Sequence, residues 1–352
     1  MKTSKNHISH FKQLALERLK QKQESRKVYP INKKDLLCLE KCPLCRTREL
    51  EVVAKVYLNR KLNFFTTVIC ANCLFTFRSV SPEFDWFKKC WASTRSEKIE
   101  VFNPEAETYK RKRYEIYKKL ILPYATRGKL LDLGASYGTG TNVFRNAGFV
   151  VNAIEAEENK INYLKNTFIP VVATSIERSF SQLKKKYDVT IFSNCLEHLD
   201  NPVPVIANMR NYLRPNGIML LSIPYLQDSI NWGDALYLTH KSNFTLENII
   251  GLLAKNGFEI IKIVRIPFFE EIVFIIRKTT NKINVAFSCK DSKITINKIK
   301  KLYHKDLPIK RLFPINEILK YTVPYVDQFF QTVNLDKNNI KWEGDYITFT
   351  AK

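Results

Sequence analysis

The chain has 352 residues, of which 45% are hydrophobic and 12% aromatic, and a formal net charge of +23 at pH 7. This composition excludes a disordered chain and allows one large domain or two to three smaller ones. No apolar run approaches the roughly 18 residues of a membrane-spanning helix, and the basic first twenty residues lack the apolar centre of a secretory signal. We therefore predict a cytoplasmic protein.

Positive charge is concentrated in residues 1–35, 110–129 and 281–311, each with a net charge of +7, which leaves +2 for the rest. Basic segments around a nearly neutral centre indicate an anionic partner such as RNA, a nucleotide-sugar or an anionic membrane surface. The alternative is that an AT-rich genome uses lysine, asparagine and isoleucine codons freely. Both interpretations remain open at this point.

Five segments are predicted in chain order. A basic helical extension covers residues 1–36, with its helix over 1–27, and a module of short strands covers 37–80. An aromatic-rich helical segment follows over 81–127. Residues 128–280 alternate between strands and helices, and residues 281–352 form a basic extension that we predict to be a small α+β unit.

The cysteines of the second segment form two pairs, KCPLC and CANC, separated by 24 residues. Thiolates two residues apart lie on tight turns and supply tetrahedral sulfur ligands for Zn²⁺. Clustered cysteines in a chain without a secretory signal favour metal over disulfides. The spacing predicts a zinc ribbon with a structural Zn²⁺, and the ligands are Cys42, Cys45, Cys70 and Cys73. Cys38 is an alternative ligand for one of them.

The α/β segment has seven predicted strands, over residues 129–134, 149–156, 169–174, 187–194, 217–224, 258–266 and 270–278. Helices are predicted between them, over residues 141–147, 157–166, 176–186, 202–213 and 246–256, with a turn at 214–217. Strands that alternate with helices predict a doubly wound, Rossmann-like α/β fold with a mostly parallel sheet. The last two strands are joined too tightly for a crossover, so the last one is predicted to run antiparallel.

A glycine loop, KLLDLGASYGTGT, joins the first of these strands to the first helix. Such a loop brings backbone N–H groups to a ligand at the positive end of a helix, although it can also be a plain turn. Its spacing is not that of a dehydrogenase, and no Lys-Ser/Thr pair marks a phosphate loop. Glu155 ends the second strand, where a carboxylate accepts hydrogen bonds from ribose hydroxyls, and Asp132 is suited to an amino group.

These residues resemble the first motif, D-x-G-x-G-x-G, of the class I S-adenosylmethionine-dependent methyltransferases. The resemblance covers residues 105–280, with Ser136 in place of the middle glycine. It implies that S-adenosylmethionine is the cofactor. The implied cofactor-binding residues are Asp132, Gly134, Ala135, Gly138, Gly140, Glu155 and Asn194.

The segment NCLEHLDNP follows the fourth strand, at the sheet edge where ligands bind. It resembles the E-H-x-x-x-P segment of small-molecule O- and C-methyltransferases. Methyl transfer requires alignment of the acceptor and removal of one proton, and histidine is suited to that proton. We predict His198, with Glu197, as the general base; the alternative is that His198 caps a helix. His240 is a second candidate, in a loop where Trp232, Tyr237 and Phe244 could wall an acceptor site.

A four-cysteine module before such a domain resembles the sugar C-methyltransferases and related glycan-modifying enzymes. The resemblance implies a small hydroxylated or sugar-type acceptor, of anionic character given the basic segments. A second hypothesis is an RNA methyltransferase, in which the zinc module and basic segments bind phosphates and aromatic side chains stack on bases. Those aromatic residues are Phe84, Trp86, Phe87, Trp91, Tyr109, Tyr114 and Tyr117. A third is a catalytically inactive cofactor-binding protein.

Overall fold

The computed structural model describes residues 31–58, 62–95, 104–178, 183, 186–224, 239–266, 269 and 271–279, and three short strands near the C-terminus. The predicted helix over 1–27, most of the extension over 281–352, and Trp232 and Tyr237 lie outside these residues. No helix in the described part of the chain is long and apolar enough to cross a membrane.

The N-terminal sheet is antiparallel and contains both cysteine pairs at its turns. Its own strands are β1 (Leu36–Cys38), β2 (Leu50–Leu58), β3 (Leu62–Cys70) and β4 (Thr76–Pro82), in the order β1-β4-β3-β2. Strands β2 and β3 form a hairpin between the two cysteine pairs. A fifth strand, β10 (Ser242–Asn243), comes from far along the chain and pairs with β4.

The second sheet has seven strands and carries the α/β domain. They are β5 (Gly128–Leu133), β6 (Phe149–Ile154), β7 (Val171–Ala173), β8 (Tyr187–Ser193), β9 (Leu213–Pro224), β11 (Phe258–Ile266) and β12 (Glu271–Lys278). Their order is β11-β12-β9-β8-β5-β6-β7. Strands β5 to β9 are parallel, and β12 runs antiparallel to both of its neighbours. The chain therefore has the mixed, doubly wound α/β fold that the sequence predicts.

Six α-helices of the described residues accompany the sheets. They are α1 (Phe84–Arg95), α2 (Pro104–Ile121), α3 (Thr139–Asn146), α4 (Glu158–Asn166), α5 (Pro202–Tyr212) and α6 (Leu246–Lys255). The central strands are buried on both faces, which explains why apolar residues in β5 and β8 are adjacent rather than alternating, as are Leu130 and Leu131 in β5 and Ile191 and Phe192 in β8. On one face of the sheet α2 packs with Tyr114, Tyr117 and Ile121, all within the core.

Two sequence predictions differ from the structure. The sequence predicts a helix over 176–186, but Ile176 to Arg178 form a turn, and the other described residues of that range are not helical. Ser175 accepts a hydrogen bond from the backbone N–H of Arg178 through its side chain, and such local bonds compete with helix formation. The turn predicted at 214–217 lies within β9 instead. It forms an irregularity in the pairing with β8, where Asn216 has a φ of 61°.

The C-terminal extension contributes three short described strands, β13 (Leu312–Pro314), β14 (Lys341–Glu343) and β15 (Tyr346–Thr348). They form an antiparallel sheet in the order β13-β15-β14. The rest of this predicted α+β unit lies outside the described residues.

Candidate functional site

The glycine loop turns sharply between β5 and α3. Gly138 is the residue before α3 and has a φ of 73°, a backbone conformation that strains any side chain other than glycine. Gly140 is required for another reason, because a Cβ atom there would lie 2.3 Å from the Tyr114 ring. Ser136, which replaces the middle glycine of the motif, also has a positive φ of 52°. The loop thus places the N-terminus of α3 at the carboxyl edge of the sheet.

Glu155 lies just beyond β6 and receives hydrogen bonds from three backbone N–H groups. Ser136 donates to Oε2 at 2.7 Å, and Ala156 and Glu157 donate to Oε1 at 2.8 and 3.0 Å. The carboxylate is 7% exposed and links the glycine loop to the end of β6. This geometry fixes its orientation and leaves limited capacity for a further hydrogen-bond donor.

Asp132 lies beneath the loop rather than on its open side. Its carboxylate is completely buried and accepts hydrogen bonds from the hydroxyls of Tyr114 (3.2 Å) and Thr141 (2.7 Å). Burial raises the pKa of Asp132 to about 6, although the two hydroxyl donors oppose that shift. The Asp132 carboxylate is therefore in contact with side chains of α2 and α3 and not with the open side of the loop.

Helix α2 covers the loop from the other side. The Lys110 ammonium donates to the Ser136 hydroxyl (2.9 Å) and to the Glu107 carboxylate (2.9 Å), and Glu107 also accepts a hydrogen bond from Thr139. These contacts hold Ser136 in its left-handed conformation, which costs about 1–3 kcal/mol for a residue other than glycine. Contacts from α2 thus stabilise the backbone conformation of Ser136, the residue that replaces the motif's glycine.

A cavity of about 290 Å³ opens where strands β5, β6 and β8 end. This is the carboxyl edge of the sheet, at which doubly wound folds bind ligands. Of the predicted site residues, the cavity is lined by Gly134, Glu155, Asn194 and His198, whereas Asp132, Ala135, Gly138, Gly140, Glu197 and His240 are not part of its wall. Phe84 and Phe87 of α1 form another part of the wall, so the segment next to the cysteine module borders the cavity.

Asn194 is held in an unusual position between the cavity and a buried polar network. It has a φ of 46°, and its side chain donates to the Glu271 carboxylate at 2.9 Å. Glu271 also accepts from the Tyr117 hydroxyl at 2.8 Å, and burial raises the pKa of this carboxyl group. The network joins α2, β8 and β12 beside the cavity.

Glu197, His198 and His240 come together beside the cavity, although 41 residues lie between the two histidines in the sequence. Their nearest possible ligand atoms lie within 4.8 Å of one another, and the two imidazole rings meet edge to face with centroids 4.8 Å apart. His198 Nδ1 donates to the Thr239 carbonyl at 2.9 Å, so in the neutral ring the lone pair is on Nε2. Burial lowers the pKa of both histidines and raises the pKa of Glu197 to about 8.

The four predicted zinc ligands converge at the turns of the N-terminal sheet. Cys42 and Cys73 have their Sγ atoms 3.5 Å apart, those of Cys45 and Cys70 are 3.4 Å apart, and all four lie within 4.8 Å. Zn–S bonds of about 2.3 Å in a tetrahedron require S–S separations of about 3.8 Å, so the residues fit a zinc ion. Cys38 is exposed on β1 and is not part of this cluster.

Residues 109–263 match the family model described as a methyltransferase domain. These residues form a methyltransferase domain. Among curated relatives, the "ubiquinone biosynthesis O-methyltransferase" of Rickettsia typhi is 29% identical over 161 residues, which are 43% of this chain and 60% of that protein. The relative of the same name from Rickettsia canadensis is 30% identical over 115 residues, or 30% of this chain and 48% of that protein. The chain thus spans about half the length of these relatives.

Solved structures with similarity to the chain include an O-methyltransferase family protein from Burkholderia thailandensis. It is 12% identical, with 56% of this chain and 60% of that chain covered and a TM-score of 0.41. An S-adenosylmethionine-dependent methyltransferase from Mesorhizobium loti is also 12% identical, with 46% and 96% covered and a TM-score of 0.40.

Lys241, which no sequence motif singles out, connects the methyltransferase domain to the N-terminal sheet. Its backbone N–H donates to the Glu197 carbonyl (2.7 Å), and its own carbonyl accepts from the Arg78 N–H on β4 (2.8 Å). The side chain is 4% exposed; its ammonium pairs with Asp200 and donates to the Pro82 carbonyl at 2.7 Å. The sequence signal for Lys241 is limited to its place beside His240, because a two-residue strand has no recognisable pattern.

The aromatic residues proposed to stack on RNA bases lie mostly inside the methyltransferase domain and its neighbouring segment. Trp86, Phe87, Tyr114 and Tyr117 are buried, whereas Tyr109 is 40% exposed and packs against Phe269. The rings of Trp86, Tyr114 and Tyr117 are therefore part of the core, and Phe87, although it borders the cavity, is only 2% exposed.

Proposed function

We propose that this protein transfers the methyl group of S-adenosylmethionine to a hydroxyl oxygen of a small acceptor. The observation that carries the proposal is the cavity at the carboxyl edge of the sheet, because Glu155 and His198 both line it. These two side chains suit the two halves of the reaction, namely cofactor binding and removal of a proton. The relatives named as O-methyltransferases support an oxygen acceptor.

The glycine loop and the ends of β6 and β8 supply the proposed cofactor-binding residues, which are Asp132, Gly134, Ala135, Gly138, Gly140, Glu155 and Asn194. When bound, the cofactor supplies a methyl group on a positively charged sulfonium. Glu155 accepts a hydrogen bond from a ribose hydroxyl, and backbone N–H groups at the start of α3 face the ligand's carboxylate. Asp132, behind the loop, contributes negative charge that favours the ligand's ammonium group.

The acceptor is proposed to lie beside Glu197, His198 and His240. Neutral His198, oriented by the Thr239 carbonyl, presents Nε2 as the atom that receives the acceptor's hydroxyl proton. Phe84 and Phe87 contribute an apolar wall that limits the access of water to the reacting groups. The narrower class of small, anionic sugar or glycan acceptors is proposed on two grounds, the neighbouring cysteine module and the basic segments.

The cysteine cluster is proposed to hold a structural Zn²⁺. Four thiolate ligands fill a tetrahedral site and leave no position for a substrate, so the ion would stabilise the N-terminal sheet rather than take part in the reaction. Through β10 the same sheet supports the segment that carries His240.

The test is methyl transfer from radiolabelled S-adenosylmethionine to fractions of a bacterial extract, separated into small molecules, sugars and glycans, RNA and protein. We expect label in a small-molecule or glycan fraction. His198→Ala should reduce turnover at least 100-fold with little change in the affinity for S-adenosylhomocysteine, since general-base catalysis contributes about 10²–10⁴-fold. Glu177→Gln, which alters another side chain of the same cavity, is the matched control.

Label in RNA would contradict a small acceptor and support the second hypothesis, an RNA methyltransferase, which the three basic segments favour. Cofactor binding without any labelled product would favour the third hypothesis, an inactive binding protein. Failure to bind S-adenosylhomocysteine would contradict the proposal altogether.

A further inference from the structure

Glu197, His198 and His240 form a second group of metal-ligating side chains, separate from the four cysteines. A carboxylate and two imidazoles with their ligand atoms within 4.8 Å of one another are the donor set of many divalent transition-metal sites. The Nε2 atom of His198 and Oε1 of Glu197 are 3.7 Å apart. Metal–ligand bonds of about 2.1 Å require ligand separations of about 3.0–3.5 Å, so small side-chain rotations suffice to bind an ion.

Glu197 gives the first independent indication that a ligand belongs here. Its side chain is 3% exposed, and neither carboxylate oxygen has a hydrogen-bond partner among the described residues. A buried carboxyl group without partners is costly, and such groups in proteins are normally paired or coordinate a metal. The Oε1 atom of this carboxylate is 3.7 Å from Nε2 of His198, and the nearest ligand atom of His240 lies within 4.8 Å of both side chains.

The orientation of His198 gives the second indication. Ligating histidines usually donate their other ring N–H to a carbonyl or carboxylate, which fixes the ring and its tautomer. The hydrogen bond from Nδ1 to the Thr239 carbonyl has this arrangement, and it leaves the Nε2 lone pair on the side of Glu197. The backbone around the group is also tied together, because Lys241 donates its N–H to the Glu197 carbonyl and Ser242 pairs with Phe77.

We infer that Glu197, His198 and His240 bind a divalent first-row transition-metal cation beside the cavity, where His198 forms part of the wall. Three protein ligands leave two or three positions open on a five- or six-coordinate ion. Two adjacent oxygens of one molecule fill such positions best, which assigns the acceptor to vicinal diols, either catechols or sugar diols. The assignment of the acceptor rests on the proposed function, whereas the cation site does not. A cation on Nε2 of His198 and direct proton transfer to that atom exclude each other, because Nδ1 is hydrogen-bonded to the Thr239 carbonyl. The two roles of His198 are therefore alternatives, which the experiment below distinguishes.

Mn²⁺ binding to the full-length, zinc-loaded protein tests the site. Mn²⁺ is suited to nitrogen and oxygen ligands, competes poorly for thiolates and is followed directly by electron paramagnetic resonance. We expect one Mn²⁺ per chain, with binding at least tenfold weaker in Glu197→Gln and in His240→Ala. Glu157→Gln removes another carboxylate from the same cavity and should bind Mn²⁺ like the wild type. Circular dichroism and affinity for S-adenosylhomocysteine show whether each variant is folded.

Wild-type protein that binds no Mn²⁺ at millimolar concentration would overturn the inference, as would Glu197→Gln that is folded and binds as well as wild type. Water-proton relaxation then tests the acceptor class: catechol should displace metal-bound water and phenol should not, and equal behaviour of the two would overturn the diol assignment. Mn²⁺ binding without any methyl transfer would refute the proposed function and leave the cation site intact. Methyl transfer that is unaffected by removal of divalent cations other than zinc would return His198 to the role of base.

Discussion

Replacement of Glu155 by glutamine tests how the cofactor's ribose is held. A carboxylate has about four lone-pair positions for hydrogen bonds, and the N–H groups of Ser136, Ala156 and Glu157 use three of them. One position therefore remains, enough for one ribose hydroxyl. A hydrogen bond to a charged group contributes about 1.5–3 kcal/mol. We expect Glu155→Gln to weaken S-adenosylhomocysteine binding about 10- to 150-fold.

The same substitution disturbs the backbone donors, since a glutamine side chain has one acceptor oxygen for three N–H groups. An unpaired buried N–H costs about 1–3 kcal/mol, so the unfolding midpoint in urea should also fall. This loss of stability must be separated from the loss of the ribose contact. Glu177→Gln provides the comparison, because Glu177 lines the same cavity and accepts a backbone N–H, from Asn201 at 2.7 Å.

Calorimetric titration with S-adenosylhomocysteine and with its 2′-deoxy and 3′-deoxy analogues separates the two effects. Wild type and Glu177→Gln should discriminate against one of the two deoxy analogues, and Glu155→Gln should not. The loss of affinity caused by Glu155→Gln and the loss caused by removing the ribose hydroxyl are then non-additive, as expected for groups in direct contact. Full discrimination retained by Glu155→Gln would refute the ribose role of this carboxylate.

Three further predictions concern stability, pH and zinc. Lys241→Met leaves Asp200 without its ammonium partner and should lower the free energy of unfolding by about 3 kcal/mol in urea titrations. The control, Arg178→Met, breaks an exposed ion pair and should lower the free energy of unfolding by less than about 1 kcal/mol. Burial raises the pKa of Asp132 from 3.8 to about 6, so its contribution to stability is complete below pH 3.8 and is lost as the pH rises through 6. Relative to Asp132→Asn, the free energy of unfolding of the wild type should therefore fall by about 2 kcal/mol between pH 4 and pH 7. Cys70→Ser should abolish stoichiometric zinc in metal analysis and lower the thermal unfolding temperature, and zinc content equal to wild type would contradict the four-cysteine site.

Much of the α/β fold is predictable from the sequence because its signals are local. Parallel strands buried on both faces are continuous apolar runs, and helix ends are marked by residues such as Gly148 and Gly257. Strands β5, β6 and β8 accordingly begin and end within two residues of the predicted bounds. The helix predicted over 176–186 fails because side-chain hydrogen bonds decide that segment: Ser175 caps a turn, and Glu177 accepts from Asn201, 24 residues away.

The candidate site is less predictable, because a motif identifies residues but not the directions of their side chains. Asp132 and Glu155 both lie at the ends of central strands, yet Asp132 is bound by Tyr114 and Thr141 beneath the loop while Glu155 lines the cavity. The meeting of His198 with His240 depends on the path of the chain between them. Nothing in the spacing of those residues indicates that their rings are in contact.

The pairing of β10 with β4 has a consequence for how the two sheets depend on each other. Asn248, at the start of α6, donates to the carbonyl of Cys73 at 3.0 Å, and Phe244 packs on Phe75 with ring centroids 4.9 Å apart. A cysteine of the cluster is therefore in direct contact with the segment that follows His240. Zinc binding that orders the cysteine turns would reduce the freedom of that segment before any acceptor binds, since a metal ion that binds only the folded form stabilises it. The N-terminal sheet can thus influence the geometry of Glu197, His198 and His240 without contributing a side chain to them.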